Sequence, residues 1–387
     1  MDRSIRLLRE LVAINSINPT LVPGAPGEQA IADAIANEMR RIGLDVSLET
    51  VAPGRPNVVG VLDGRSKGRA MILCGHTDTV GVVGMSDPFN PVERDGRLYG
   101  RGTQDMKAGV AAMIDAARVV RERGFEKGRL IIAAVVDEEH SSIGADALVG
   151  RWTADGAIVT EPTDLAIAVA HKGFSWVEVE VLGKAAHGSR PAEGQDAILR
   201  LGRVLAQLES LDRTLQARVP HPLLGTGSLH ASFIEGGREL SSYPDRATLQ
   251  MERRTLPNDS EMQASDEVQQ IIGGLASEDP TFRGTARQLF SRPAYEIASD
   301  HELPVLLMAA IQTVSGGRHE GRTTGASFWA DSAILGHAGI PSVLFGPGGA
   351  GLHSTEEYVN LADVVMCRDA LAEVVIRFCE GSRPGRA

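Results

Sequence analysis

The 387-residue sequence is short of aromatics, cysteine, long apolar runs and positive charge, and each shortage excludes a class of function. Three Trp, four Tyr and nine Phe amount to 4% of the chain, too few for the stacking platforms that grip single-stranded nucleic acid. Lys and Arg number 39 against 50 Asp and Glu, for a net charge of −11. Phosphate backbones demand the opposite sign, so no nucleic acid is expected as a partner. The purest apolar stretch, Leu130–Val136, stops after seven residues at Asp137, far below the ~20 needed to span a bilayer. The opening MDRSIRLLRELVAIN reads as an amphipathic helix without the apolar centre of a signal peptide. No membrane association is expected. Cys74, Cys367 and Cys379 are odd in number and widely spaced, which fits a reduced, cytoplasmic protein.

What the chain has is length and pattern. At about 150 residues per domain there is room for two or three domains, and 43% hydrophobic residues supply an ample core. Residues 27–43 and 106–122 carry helical spacing, the second through Val110, Met113, Ile114 and Ala117. Short apolar runs at 57–62, 70–75, 129–136, 156–160 and 166–170 read as buried strands. Strands separated by helices predict an α/β sheet with helices on both faces.

Near Gly173 the pattern changes. FSWVEVEVL (174–182) alternates apolar and charged residues, as a strand wet on one side does. A helix (195–210), strands near 229–235 and 246–253, a helix (259–275) and a strand near 282–290 follow, an α+β arrangement. After about 290 the α/β pattern returns, with helices at 303–314, 328–338 and 361–379 and the strand Ser342–Phe345. The prediction is one mixed-sheet α/β domain in two parts, 1–172 and 290–387, interrupted by an inserted α+β domain over 173–289. The tail GSRPGRA (381–387) is expected to be disordered.

Chemistry gathers at the predicted strand ends. His76 and Asp78 close one apolar run, Glu138 and Glu139 follow another, Glu161 follows a third, and His353 comes soon after a fourth. Sites in α/β sheets form beyond the carboxyl ends of strands, so these groups should converge. Asp105, just ahead of the helix expected from Met106, can reach the same rim. Clustered carboxylates repel one another unless cations neutralise them. Histidine with Asp and Glu is a zinc-type donor set. Five ligands exceed one tetrahedral ion but suit two ions sharing a carboxylate. Asp78, two residues from His76, is placed to orient the imidazole. Of Glu138 and Glu139, one can bind metal while the other stays free as a base.

GHTDTV (75–80), GRGTQDMKAG (100–109), DEEHSS (137–142), TEPT (160–163) and GLHSTEEYV (351–359) together resemble the dinuclear-zinc amidohydrolase family. That family includes acetylornithine deacetylase, succinyl-diaminopimelate desuccinylase, aminoacylase-1 and the glutamate carboxypeptidases. GKAAHGSRPAEGQDAI (183–198) and ERRTLP (252–257) extend the likeness into the inserted domain. The resemblance implies a zinc-peptidase catalytic domain with an inserted lid and dimerisation domain. It makes His76, Asp105 and Glu161 ligands of one ion and Asp105, Glu139 and His353 ligands of the other, so that Asp105 bridges. It makes Asp78 the partner of His76, and Glu138 the general base that activates water and protonates the leaving amine. A cis peptide after Asp105 is implied as well. His187 would reach across a homodimer to stabilise the oxyanion, and Arg254, or Arg253 beside it, would grip the substrate carboxylate. Ser241 departs from the asparagine that several members carry nearby. The expected reaction is hydrolysis of the amide bond in N-acyl amino acids or small peptides with a free carboxylate, as in the deacetylases and desuccinylases, with a carboxypeptidase or dipeptidase as the alternative. The expected cofactor is a pair of divalent ions, zinc first, with cobalt and manganese also able to fit.

Other features read as structural. His140 and His171 lie near the motifs without a place in them. FGPGGAG (345–351) lacks the Gly-Lys-Ser/Thr of a phosphate loop and reads as the turn that delivers His353. A metal-free binding protein on the same fold would have no use for the complete ligand set.

Overall fold

The strand Ser66–His76 is buried without interruption from Met71 to its end, and the strand Lys127–Val135 beside it is buried from Leu130 onward. Strands that show no alternation of exposure are covered on both faces. These two form the middle of the larger sheet in this computed structural model, which describes residues 1–381. The chain divides into two compact units: Met1–Val169 with Ile297–Thr324 and the chain from Ala330 onward, and Ala170–Glu296 with Gly325–Trp329.

In the first unit the sheet order is Asp45–Ala52, Arg55–Asp63, Lys127–Val135, Ser66–His76, Gly156–Val159, Ser342–Leu344, Ile167–His171. The four strands from Lys127–Val135 to Ser342–Leu344 are parallel, and the flanking pairings are antiparallel. This is the mixed sheet that the alternating pattern predicts. Parallel strands finish at one edge, and the register is close: His76 lies opposite Val135, and Cys74 opposite Val159. The segments leading to Glu138, Glu139 and Glu161 therefore leave the sheet beside His76.

The elements expected from spacing are present within a few residues of their predicted bounds. The helix expected from Met106 starts later, as Ala108–Arg123, because Thr103–Lys107 forms a wider, irregular turn. Several elements go beyond those expected, among them the strand Asp45–Ala52 at one edge of the large sheet. The helix Ile143–Val149 is too short to show a period. A small sheet joins Gly349–Ala350, Tyr358–Asn360, Arg97–Tyr99 and Val92–Arg94 in that order, and strands of two or three residues cannot display alternation. The last helix, Leu361–Glu380, ends on Gly381 in the left-handed conformation (φ 75°), the usual glycine stop. The remainder of the tail expected to be disordered lies outside the described residues. No helix among the described residues is long and apolar enough to cross a membrane. Cys74, Cys367 and Cys379 are buried and unpaired.

The second unit is an antiparallel sheet in the order Ser228–Gly236, Arg246–Thr255, Gly173–Leu182, Arg283–Arg292. One face is apolar: Val177, Val179, Val181, Leu249 and Met251 pack with Leu201, Val204, Val268 and Ile272. These last four belong to the helices Ala197–Gln216 and Gln263–Glu278. Ser228–Gly236 is an edge strand, with Phe233 72% and Ile234 60% exposed.

Gly109 shows how tightly the first unit is assembled around the strand ends. A Cβ added there would sit 2.0 Å from the carbonyl oxygen of Thr160, the residue before Glu161. Only glycine lets the helix Ala108–Arg123 approach this closely. Gly109→Ala should therefore destabilise the protein by about 1–3 kcal/mol, as overpacking does. The check is a lower urea midpoint at unchanged slope.

Candidate metal centre

His76, at the end of its strand, is fully buried, and its Nδ1 lies 3.0 Å from the main-chain carbonyl of Asp78. A carbonyl can only accept, so Nδ1 carries a proton and Nε2 points the other way. There Nε2 meets Asp105 Oδ1 at 3.0 Å, with Glu138 Oε2 and Glu161 Oε1 each at 3.9 Å. The second oxygen of Asp105 faces the other histidine: Oδ2 is 3.3 Å from His353 Nε2, which is 3.0 Å from Glu139 Oε2. One carboxylate thus stands between two imidazoles, with a further glutamate on each side. The Asp105–Met106 peptide is cis.

The electrostatics are those of crowding. Burial, and then the charge of Glu161, pushes the Glu138 carboxyl well above the usual range. Burial followed by Asp105 raises Glu139 to about 7. Burial drives Glu161 up strongly too. Burial also works against the charge on Asp105, yet hydrogen bonds from His353 and His76 hold its carboxyl below the ordinary range. Hydrogen bonds to Asp105 and Glu139 raise His353 to about 10. Four carboxylates thus share two imidazoles as their nearest cations.

The donors fit divalent cations. Atoms of His76, Asp105 and Glu139 lie within 4.8 Å of one another, as do those of His76, Glu138 and Glu161. Glu139 Oε1 and Glu161 Oε1 are buried and accept no hydrogen bond, a costly state for a carboxylate unless a cation completes it.

Asp78 differs in detail from its expected role. The strand ends at His76, and the Asp78 carboxylate lies 3.6 Å from Nδ1 while its main-chain carbonyl makes the closer contact. The carboxylate is turned to other donors: Asn18 Nδ2 at 2.8 Å and the backbone N–H groups of Glu138 and Glu139 at 3.1 and 3.2 Å. It orients the two glutamates as much as the imidazole.

In the second unit, His187 is exposed, and its Nδ1 is engaged by Ser189 through Oγ at 2.8 Å and N–H at 3.2 Å. Of the two arginines, Arg253 is buried against Asp259 and Glu267 at 3.4 and 3.2 Å. Arg254 is the more open one, with its side chain 32% exposed, paired to Glu252 at 2.7 Å and lying over the Phe174 ring.

Sequence reasoning missed a buried layer behind the candidate ligands. Asn18 Nδ2 donates to Asp78 at 2.8 Å and to Asp137 Oδ1 at 3.0 Å. Arg55 reaches Asp137 at 2.8 Å and clamps Glu28 through Nε at 2.8 Å and Nη2 at 2.5 Å. These partners are scattered between residues 18 and 137, so no spacing advertises them.

The fold and the donor set together define a hydrolase built on carboxylates and imidazoles at the rim of a parallel sheet. Residues 72–377 match the model of peptidase family M20/M25/M40, and the chain belongs to that family. It is 32% identical to an acetylornithine deacetylase of Myxococcus xanthus over 97% of both chains. It is 28% identical to the N-formyl-4-amino-5-aminomethyl-2-methylpyrimidine deformylase of Bacillus subtilis, covering 98% of this chain and 95% of the relative. Among solved structures, the aminopeptidase PepT of Bacillus cereus superposes with a TM-score of 0.79 at 20% identity, over 97% of this chain and 98% of the other. The chain is therefore an enzyme of metal-dependent amide hydrolysis that acts on acyl amino acids or peptides.

The buried layer gives a stability test. Arg55→Met strands Glu28 and Asp137 without their cation, and breaking a buried pair in this way costs about 3–5 kcal/mol. In the wild type, Asp137 is held below the usual carboxyl range although burial opposes this, through Ser141, Asn18 and Arg55. Its contribution is present above the unfolded pKa of about 4 and is lost as the pH falls through the lower folded value. The gap between variant and wild type should therefore be widest near neutrality and narrow in acid, read from urea unfolding across pH.

Proposed function

We propose that this enzyme removes a small acyl group from the amino nitrogen of an N-acyl amino acid whose carboxylate is free. The observation that carries the reading is Asp105 with one oxygen toward His76 and the other toward His353. Around this bridge, His76, Asp105 and Glu161 would hold one divalent ion, and Asp105, Glu139 and His353 a second. Such ions, zinc first and cobalt or manganese as alternatives, would polarise the amide and make water acidic enough to attack. Both relatives above are named for the removal of a small acyl group, which favours a deacylase over a carboxypeptidase.

The remaining work falls to the protein. Glu138, fastened through its N–H to Asp78, takes the proton from the attacking water and returns it to the leaving amine. Arg254 grips the substrate carboxylate, since Arg253 is already committed to Asp259 and Glu267. His187 serves the oxyanion. The N–H of Ser189 occupies Nδ1, which leaves the proton on Nε2, the form that donates. Residues 173–289 act as lid and dimerisation domain, and the exposed edge strand Ser228–Gly236 offers the unpaired backbone on which a second copy can dock. Unpaired, buried cysteines suit residence in the reducing cytoplasm.

Assay of a panel of N-acyl amino acids and dipeptides on metal-reconstituted enzyme tests the reading; turnover of dipeptides alone would overturn it. Glu138→Gln should lose about 10²–10⁴-fold in turnover at nearly unchanged metal content, whereas Glu139→Gln should lose metal too. Swapped phenotypes would reverse the two roles. Glu138→Ala and His187→Ala should each be nearly inactive. Mixed in equal amounts with subunit exchange, they should recover about a quarter of wild-type activity, because half the dimers then hold one intact site. No recovery after proven exchange would mean that His187 acts within its own chain or not at all.

A further inference from the structure

Glu357, four residues beyond His353, is completely buried, and both of its carboxylate oxygens are directed to the segment that carries Asp105. Oε1 accepts the backbone N–H of Gln104 at 2.8 Å and of Asp105 at 3.0 Å. Oε2 accepts the N–H of Gly102 at 3.0 Å and Arg101 Nη1 at 2.7 Å. The arginine answers in the other direction, with Nη2 donating to the carbonyl of Ser354, next to His353, at 2.9 Å. Gly100 N–H donates to the main-chain carbonyl of Glu357 at 3.1 Å, and the small sheet continues the contact by pairing Tyr358 with Tyr99. Gly102 holds φ at 81°, a conformation that suits glycine and turns the backbone N–H groups of the segment onto the carboxylate.

The candidate ligands differ in how they are supported. His76 ends a strand of the large sheet, and Glu161 follows another two residues after its end. His353 has no such base: its side chain is 54% exposed, and its backbone is in the left-handed region at φ 57°. What joins its segment to Asp105 is the reciprocal contact of Arg101 and Glu357. Hydrogen bonds involving charged groups are roughly twice as strong as neutral ones, so this clasp stiffens the link that the small sheet begins between the two segments.

We propose that the Arg101–Glu357 clasp sets the separation of Asp105 and His353 and thereby the affinity for the second divalent ion, the one shared by Asp105, Glu139 and His353. The inference rests on the two-ion reading above. Glu357 is a positioning residue: it acts through the backbone of Asp105. Loosening the clasp disturbs Asp105 for both ions, but only the second also loses the placement of His353.

The experiment titrates Zn²⁺ into metal-stripped full-length protein by calorimetry, for wild type, Glu357→Gln and Arg101→Gln. Wild type should take two ions. Glu357→Gln should bind the second at least about tenfold more weakly, the scale on which groups behind metal ligands act, with a several-fold smaller change for the first. Equal weakening of both ions, as from general loss of structure, or an unchanged second ion would overturn the proposal. If Glu357→Gln does not fold, Arg101→Gln, which keeps the three backbone bonds of Glu357, is judged by the same two outcomes. A wild type that never takes more than one ion removes the two-ion reading and this inference with it. Two ions in wild type with no selective loss in the variants sinks the inference alone.

Discussion

Mutual repulsion among buried carboxylates is the constraint on which this structure turns. Glu138, Glu139 and Glu161 follow neighbouring parallel strands, and with Asp105 they cluster around His76. Left alone, such groups take up protons, as the raised Glu138, Glu139 and Glu161 indicate. The fold answers with layers. Imidazoles stand between the acids, backbone N–H groups and Asn18 hold Asp78, and Arg55 neutralises part of the charge on Asp137 and Glu28. The donor atoms that remain unsatisfied face inward, where a cation would meet them.

Rigidity follows from the same arrangement. The parallel strands commit the positions of His76 and Glu161 to the sheet, and Gly109 lets a helix close against Thr160 without a side chain between. His353 is delivered differently, by a loop whose backbone adopts a conformation that a non-glycine residue rarely holds. Residues in sparsely populated backbone regions persist when their surroundings over-determine them, and Arg101 holds the carbonyl of the next residue, Ser354.

Much of this was legible from the residues. The alternation of apolar runs and helical spacing conveyed the large sheet and the change of style near Gly173, because burial on two faces and burial on one leave different periods. The candidate ligands were legible because most of them follow apolar runs whose strand ends converge, and Asp105 because it stands just ahead of a helix. What stayed hidden shares one property: Asn18, Arg55, Arg101 and Glu357 act through hydrogen bonds on partners that no spacing links to them, and a lone polar residue looks the same in a loop as in a buried network. The small sheet of Arg97–Tyr99 and Tyr358–Asn360 was invisible for a related reason, being too short for any period. Asp78, too, offered no hint that its carbonyl rather than its carboxylate would make the closer contact with His76.

The division of the first unit between the two ends of the chain has a consequence for synthesis. Its sheet inserts Ser342–Leu344 between Gly156–Val159 and Ile167–His171, and Leu361–Glu380 buries ten residues in its core. Until Ser342–Leu344 is made, that sheet lacks the strand beside Gly156–Val159, and until Leu361–Glu380 follows, an apolar surface stays uncovered. The second unit, nearly contiguous from Ala170 to Glu296, is already whole by then. Domains close as units during translation, so the segment in the middle of the gene can take its final form before the segment that begins it.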